Sequence, residues 1–185
     1  MNSHAQVKMN VDQYLKWCET QPFGHFELIN GEVVQMSPER SLHNLTKLQV
    51  ANALSAAIAN ARVNCVAYTD GMGVRIDKET LLEPDASIQL GGPLDNDALE
   101  LSAPVVVVEV LSPSTAKNDV TVKLRWYLTV ESIVHYLIVD AVEKTVLHHR
   151  RISSTECETR IFIDGMMSLD PPGIVIPVAA FFGKV

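Results

Sequence analysis

A run of four valines, Val105 to Val108, between Pro104 and Glu109 constrains this chain more than any other stretch. Unbroken β-branched residues of that length suit a strand buried on both faces, the kind found in the middle of an α/β sheet. Glu109 lies at the end of that strand, where an ionised carboxylate is costly unless a partner compensates it. Ser112-Pro113-Ser114-Thr115 then breaks the strand and offers capping hydroxyls to a following helix. That helix is expected to carry Asp119 and Lys123 four residues apart, hence on one face. A buried strand-end acid, with an acid and an ammonium on the next element, has the make-up of a site. The plain alternative is a Glu109–Lys123 ion pair inside the fold.

The rest of the chain supplies helices and strands to surround that run. Val11, Tyr14, Leu15 and Cys18 recur at helical spacing. Asn30-Gly31 between Phe26-Glu27-Leu28-Ile29 and Glu32-Val33-Val34-Gln35-Met36 is a strong signal for a two-residue hairpin. From Ser41 to Arg62, Leu42, Leu45, Leu48, Ala51, Leu54, Ile58 and Ala61 predict one long amphipathic helix. Short strands are expected at Val63 to Tyr68 and Gly73 to Ile76. Leu81 to Leu90 reads as a further strand, with Pro84 admitted only at a start or edge. Ile133 to Val139 and Lys144 to Arg150 are expected to pair across a turn, and Thr159 to Ile163 to add a strand. Residues from Pro171 onward read as a Pro-rich end with an apolar finish, packed on the body or on a second subunit.

Composition narrows the partners. A chain of 185 residues, 47% hydrophobic, suits one domain with a substantial core. No apolar run approaches the ~20 residues that span a membrane, and the first residues lack the apolar centre of a signal peptide. A cytoplasmic protein with no membrane partner is the expectation. Cys18, Cys65 and Cys157 form no CxxC pair and read as small buried hydrophobes. The net charge of −7 opposes non-specific attraction to polyphosphate, so any nucleic-acid contact needs a local basic patch.

Two acids stand out at the ends of buried elements, Asp85 after Pro84 and Glu109 after the valines. Neighbouring strands would bring them together as oxygen ligands for a hard divalent cation, Mg²⁺ or Mn²⁺. A nearby lysine would then offer positive charge to a phosphoryl oxygen. His43 is a candidate proton acceptor facing the cleft, against a capping or surface role. His148-His149-Arg150-Arg151 reads as a solvated hairpin end, with phosphate contact as the alternative.

With these residues in view, the sequence resembles the restriction-endonuclease-like PD-(D/E)XK superfamily. More closely it resembles the Uma-two family of endonucleases, once filed as a domain of unknown function. The likeness spans about residues 10 to 180 and rests on several motifs in order. They are Phe26 to Pro38, His43, Pro84-Asp85, Val108 to Thr115, Asp119-x-x-x-Lys123-x-x-x-Tyr127 and Tyr136 to Asp140. It implies a single domain, residues 1–185, with a restriction-endonuclease-like α/β core: a central mixed sheet flanked by helices. It further implies a metal-dependent endonuclease hydrolysing phosphodiester bonds of DNA, with Asp85, Glu109 and Glu27 at the metal. The superfamily's lysine stands two residues after the second acid, a position held here by Leu111. The family moves that lysine to the next helix, which points to Lys123, with Asp119 in support. The segment Val130 to Leu137 lacks the glycine usual in the family before its late strand. Restriction-type nucleases often cut as pairs, so a homodimer is expected. The rival reading is a catalytically silent homodimeric binding or scaffold protein that keeps the nuclease fold.

Overall fold

Pro104–Val110 forms an interior strand of a six-stranded sheet. The computed structural model describes residues 8–111 and 119–183. In chain order the elements are α1 (Val11–Cys18), β1 (Phe26–Ile29), β2 (Glu32–Gln35), α2 (Ser41–Ala61), β3 (Cys65–Thr69) and β4 (Val74–Arg75). There follow β5 (Leu81–Leu82), β6 (Ala86–Leu90), β7 (Pro104–Val110), α3 (Asp119–Tyr127), β8 (His135–Asp140) and β9 (Thr145–Arg151). The chain ends with β10 (Cys157–Phe162), β11 (Met166–Leu169), β12 (Ile174–Pro177) and a 3₁₀ helix (Val178–Phe182). The sheet runs β10-β9-β8-β7-β6-β3, parallel only between β7 and β8. A mixed sheet flanked by helices is therefore the architecture, as expected.

The valines divide between two cores. Val106, Val108 and Val110 pack with Val50, Leu54, Ala57 and Ile58 of α2, and with Met167, Leu169, Ile174, Ile176 and Phe181. Val107 faces the other way, into a core with Tyr127, Ile133, Tyr136 and Ile138, joined by Val74 and Leu82. Burying each valine fully contributes about 1.5–3 kcal/mol. A charged residue at Val108 would break the sheet from within. A second sheet, β2-β1-β5-β4, is built on the expected hairpin. Asn30 and Gly31 both take positive φ, 51° and 81°, as that turn requires.

Several expectations are corrected. Leu42 and Leu48 are exposed, and the buried stripe of α2 runs through Thr46, Lys47, Val50, Ala53, Leu54 and Ala57. Small residues at 53 and 57 let the helix lie close to the sheet, and that rotation turns Lys47 inward. The expected strand from Leu81 to Leu90 is two strands in different sheets, with Glu83-Pro84-Asp85 as the crossover. Proline has no N–H for a ladder, which suits the link between them. The Pro-rich end holds the β11–β12 hairpin, and Phe181 is buried within the chain. Of the two expected placements for the apolar finish, Phe181 takes the one on the body of the chain. The three cysteines are half-buried free thiols. The Val130–Val134 turn is held by Arg151, which donates to the carbonyls of Ile133 (2.8 Å) and Val130 (2.6 Å). Among the described residues, no helix is long and apolar enough to cross a membrane.

Candidate metal and catalytic centre

The β6–β7 register pairs Ala86 with Val108. Carried one residue beyond the strand, it sets Asp85 alongside Glu109. Asp85 Oδ2 accepts the Val110 backbone N–H at 2.6 Å, which fixes the crossover to the end of β7. The two carboxylates then serve different helices. Asp85 Oδ1 lies 3.3 Å from Lys47 Nζ, and Oδ2 lies 3.6 Å from His43 Nε2, both on α2. Glu109 Oε1 accepts from Lys123 Nζ at 3.1 Å and from the Tyr127 hydroxyl at 2.6 Å, both on α3.

Glu27 arrives from β1, and its side chain is buried rather than turned out from the hairpin. Its Oε1 accepts from Lys123 Nζ at 3.1 Å and from the Glu83 N–H at 3.1 Å. Lys123 thus joins Glu27 to Glu109. The capping residues Ser112 to Thr115 lie outside the described residues. Asp119 begins α3, one turn before Lys123, and its side chain also lies outside the described residues.

The α2 side has its own cluster. Glu39, His43 and Asp85 offer ligand atoms that all lie within 4.8 Å of one another, a candidate divalent-cation site. His43 Nε2 lies 2.9 Å from the Val110 carbonyl oxygen. A carbonyl only accepts, so Nε2 is the donor in this contact. Nδ1 is buried without a hydrogen-bond partner, 3.7 Å from Glu39 Oε1. A histidine anchored through one ring nitrogen to a backbone carbonyl has its ring oriented, as metal-ligating histidines do. Lys47 Nζ meets Glu39 Oε1 in a short contact and donates to Asp70 Oδ2 at 2.6 Å.

Five carboxylates (Glu27, Glu39, Asp70, Asp85 and Glu109) face two ammonium groups, Lys47 and Lys123, among the described residues. Burial pushes the carboxyl groups of Glu27, Asp85 and Glu109 above their usual range, against the pull of the lysines. The negative charge of Asp85 adds to the rise at Glu109, so the two groups sense each other. Burial alone would lower Lys47, yet hydrogen bonds to Asp70 and Glu39 hold it above the usual lysine range. Burial also raises Tyr127, helped by the charge of Glu109, so its hydroxyl stays a donor. An open cavity of about 400 Å³ is lined by Phe23, His25 and Glu83 among others, and by none of the five carboxylates.

A family model described as "Uma2: Putative restriction endonuclease" matches residues 11–179. The chain belongs to the Uma2 family. Uma2, also called DUF820, is part of the PD-(D/E)XK restriction-endonuclease-like superfamily. The uncharacterized protein sll1609 of Synechocystis sp. is 24% identical over 133 residues, covering 70% of this chain and 74% of the relative. A second uncharacterized Synechocystis protein, slr1290, is 25% identical over 146 residues, covering 77% of this chain and 75% of the relative. The crystal structure of "a putative nuclease belonging to DUF820" from Anabaena variabilis matches with a TM-score of 0.71 and 18% identity. That match covers 94% of this chain and 97% of the other, and places the Uma2 core in the restriction-endonuclease-like fold.

Sequence reasoning missed Lys47, Glu39 and Asp70 in this Uma2 chain. One signal was present: His43 and Lys47 lie four apart on the stripe that continues into Val50 and Leu54. Reading the stripe from its leucines hid it. The His148-His149-Arg150-Arg151 cluster is neither a solvated end nor a phosphate contact at its histidines, because both are buried within β9. His148 Nε2 lies 2.8 Å from His135 Nδ1, and His149 Nδ1 lies 2.7 Å from Thr159 Oγ1.

Proposed function

We propose that this chain is a metal-dependent endonuclease that hydrolyses phosphodiester bonds of DNA, with Mg²⁺ or Mn²⁺ as its cofactor. The observation that carries this reading is the pair of strand-end carboxylates, Asp85 and Glu109, with Lys123 held 3.1 Å from Glu109. A bound cation relieves buried carboxylates such as Glu27, Asp85 and Glu109, and the donor set is rich in oxygen, as hard divalent ions prefer. Asp85, Glu109 and Glu27 would hold the ion. A bound divalent ion supplies Lewis acidity toward a phosphoryl oxygen.

The chain's own groups do the rest. Lys123, held by Glu27 and Glu109, offers fixed positive charge where charge builds on the phosphorus oxygens. Tyr127 donates to Glu109 and favours its ionised form against the burial that raises it. His43 fixes the Val110 carbonyl, and with it the strand end beside Asp85. Asp119 supports Lys123 from one turn earlier on α3. The reading takes the protein as cytoplasmic, where its three free thiols persist reduced. It also takes it as a homodimer, since cutting both strands of a duplex calls for two such centres.

The test is direct. Purified protein with Mn²⁺ nicks supercoiled plasmid, and Asp85→Asn abolishes nicking while the circular dichroism spectrum is unchanged. Equal nicking by the variant overturns the reading. Neither nicking nor heat of Mn²⁺ binding in the parent leaves a catalytically silent binding protein with a nuclease fold.

A further inference from the structure

Lys47 engages three carboxylates, and the proposed reaction leaves it unused. It is 4% exposed, on the stripe of α2 that otherwise buries Val50 and Leu54. Its ammonium meets three carboxylates from three separate segments. Glu39 comes from just before α2, Asp70 from the β3–β4 turn, and Asp85 from the β5–β6 crossover. Two of these three, with His43, make up the cluster whose ligand atoms lie within 4.8 Å of one another.

An aliphatic side chain would fill a core-facing helix position at lower cost than a desolvated ammonium, unless the surroundings demanded positive charge. Here they do. Asp85 turns one oxygen to Lys47 and the other to the Val110 N–H and His43. His43 Nδ1, buried and without a partner, lies beside Glu39. A candidate cation cluster is present, and an ammonium already engages both of its carboxylates.

We propose that Lys47 is a resident cation, filling the position that a second divalent ion would take beside the one held at Asp85. It supplies one fixed positive charge there and fixes the site at one exchangeable ion instead of two. It acts by holding Asp85, Glu39 and Asp70 in place, as a positioning residue. The inference rests on the reading above for the identity of the first ion. Its test does not rest on cleavage.

Lys47→Met opens the cluster while keeping an unbranched side chain in the core. Equilibrium dialysis and calorimetry with Mn²⁺ count the ions. The parent binds one, and Lys47→Met binds one more than the parent. The Mn²⁺-induced rise in thermal midpoint is larger in the variant, since three carboxylates have lost their cation. Lys47→Met combined with Glu39→Gln loses the additional ion again. If Lys47→Met unfolds without metal, Mn²⁺ restores its folded circular dichroism spectrum. The inference is overturned by two ions in the parent, by no added ion in the variant, or by failure of Mn²⁺ to restore an unfolded variant. Should the parent bind no ion and cut nothing while Lys47→Met gains one, the nuclease reading falls and the resident cation stands.

Discussion

Lys123 and Glu27, 96 residues apart in the chain, meet at 3.1 Å in an ion pair buried between α3 and the small sheet. Both side chains are less than a tenth exposed, so the pair is not a screened surface contact. Removing the ammonium leaves Glu27 and Glu109 buried without it. Truncating one partner of such a pair costs about 3–5 kcal/mol. Lys123→Met is therefore expected to lower the urea unfolding free energy by about that amount and to end Mn²⁺-dependent nicking. Glu27→Gln still faces the Glu83 N–H and is expected to cost less. Equal stability of Lys123→Met and the parent would show that the pair carries no weight.

Tyr127 makes a subtler prediction. Its hydroxyl donates to Glu109 Oε1 at 2.6 Å and favours the ionised carboxylate, against the burial that raises it. Tyr127→Phe removes the donor and keeps the ring, at a cost of about 1–3 kcal/mol for the acceptor left behind. Without the hydroxyl, Glu109 rises further. The acid limb of the nicking pH profile moves to higher pH, while activity well above it changes little. An unmoved limb would separate Tyr127 from the protonation of Glu109.

His135 and His148 sit 2.8 Å apart in the sheet, and burial pulls each down to about 4. The unfolded chain takes up these protons near the usual value of about 6.5. Between those values the unfolded state holds more protons, so stability falls as pH drops from about 6.5 toward 4. Imidazole C–H resonances followed by NMR are expected to show both rings neutral in the folded protein at pH 5. A midpoint near 6.5 for either ring would contradict their burial.

The sequence carried the parts of this fold that local chemistry decides. Asn30-Gly31 admits one tight turn, and four valines before Glu109 admit few places outside a sheet interior. Asp85 was legible for the same reason, since proline before it marks a break next to a buried strand. What escaped depended on rotation and long-range pairing. Leucine spacing in α2 pointed to a face that the alanines at 53 and 57 displace, so Lys47 was hidden among surface cations. Its partner Asp70 lies in a loop that the β3–β6 pairing sets beside Asp85, and Glu39 lies in the loop before α2. The β11–β12 hairpin was masked by its prolines, which sit at its turn and end.

The raised carboxyls of Glu27, Asp85 and Glu109 give the centre a pH signature opposite to that of the histidines. Their folded values lie above the unfolded ones, so the folded chain holds protons that the unfolded chain has released. Their contribution to stability is full below the unfolded values, near 4, and is lost as pH rises through the folded values. Mn²⁺ binds the ionised carboxylates and returns that loss, by about 2.7 kcal/mol at a hundredfold excess over Kd. The Mn²⁺-induced shift in thermal midpoint is thus expected to grow from pH 5 to pH 7.5. Because His135 pairs with Val106, toward the opposite end of β7 from Glu109, its titration is common to both arms and cancels in the difference. Glu109→Gln is expected to flatten the dependence. A shift independent of pH in the parent would mean that the cation binds away from these acids.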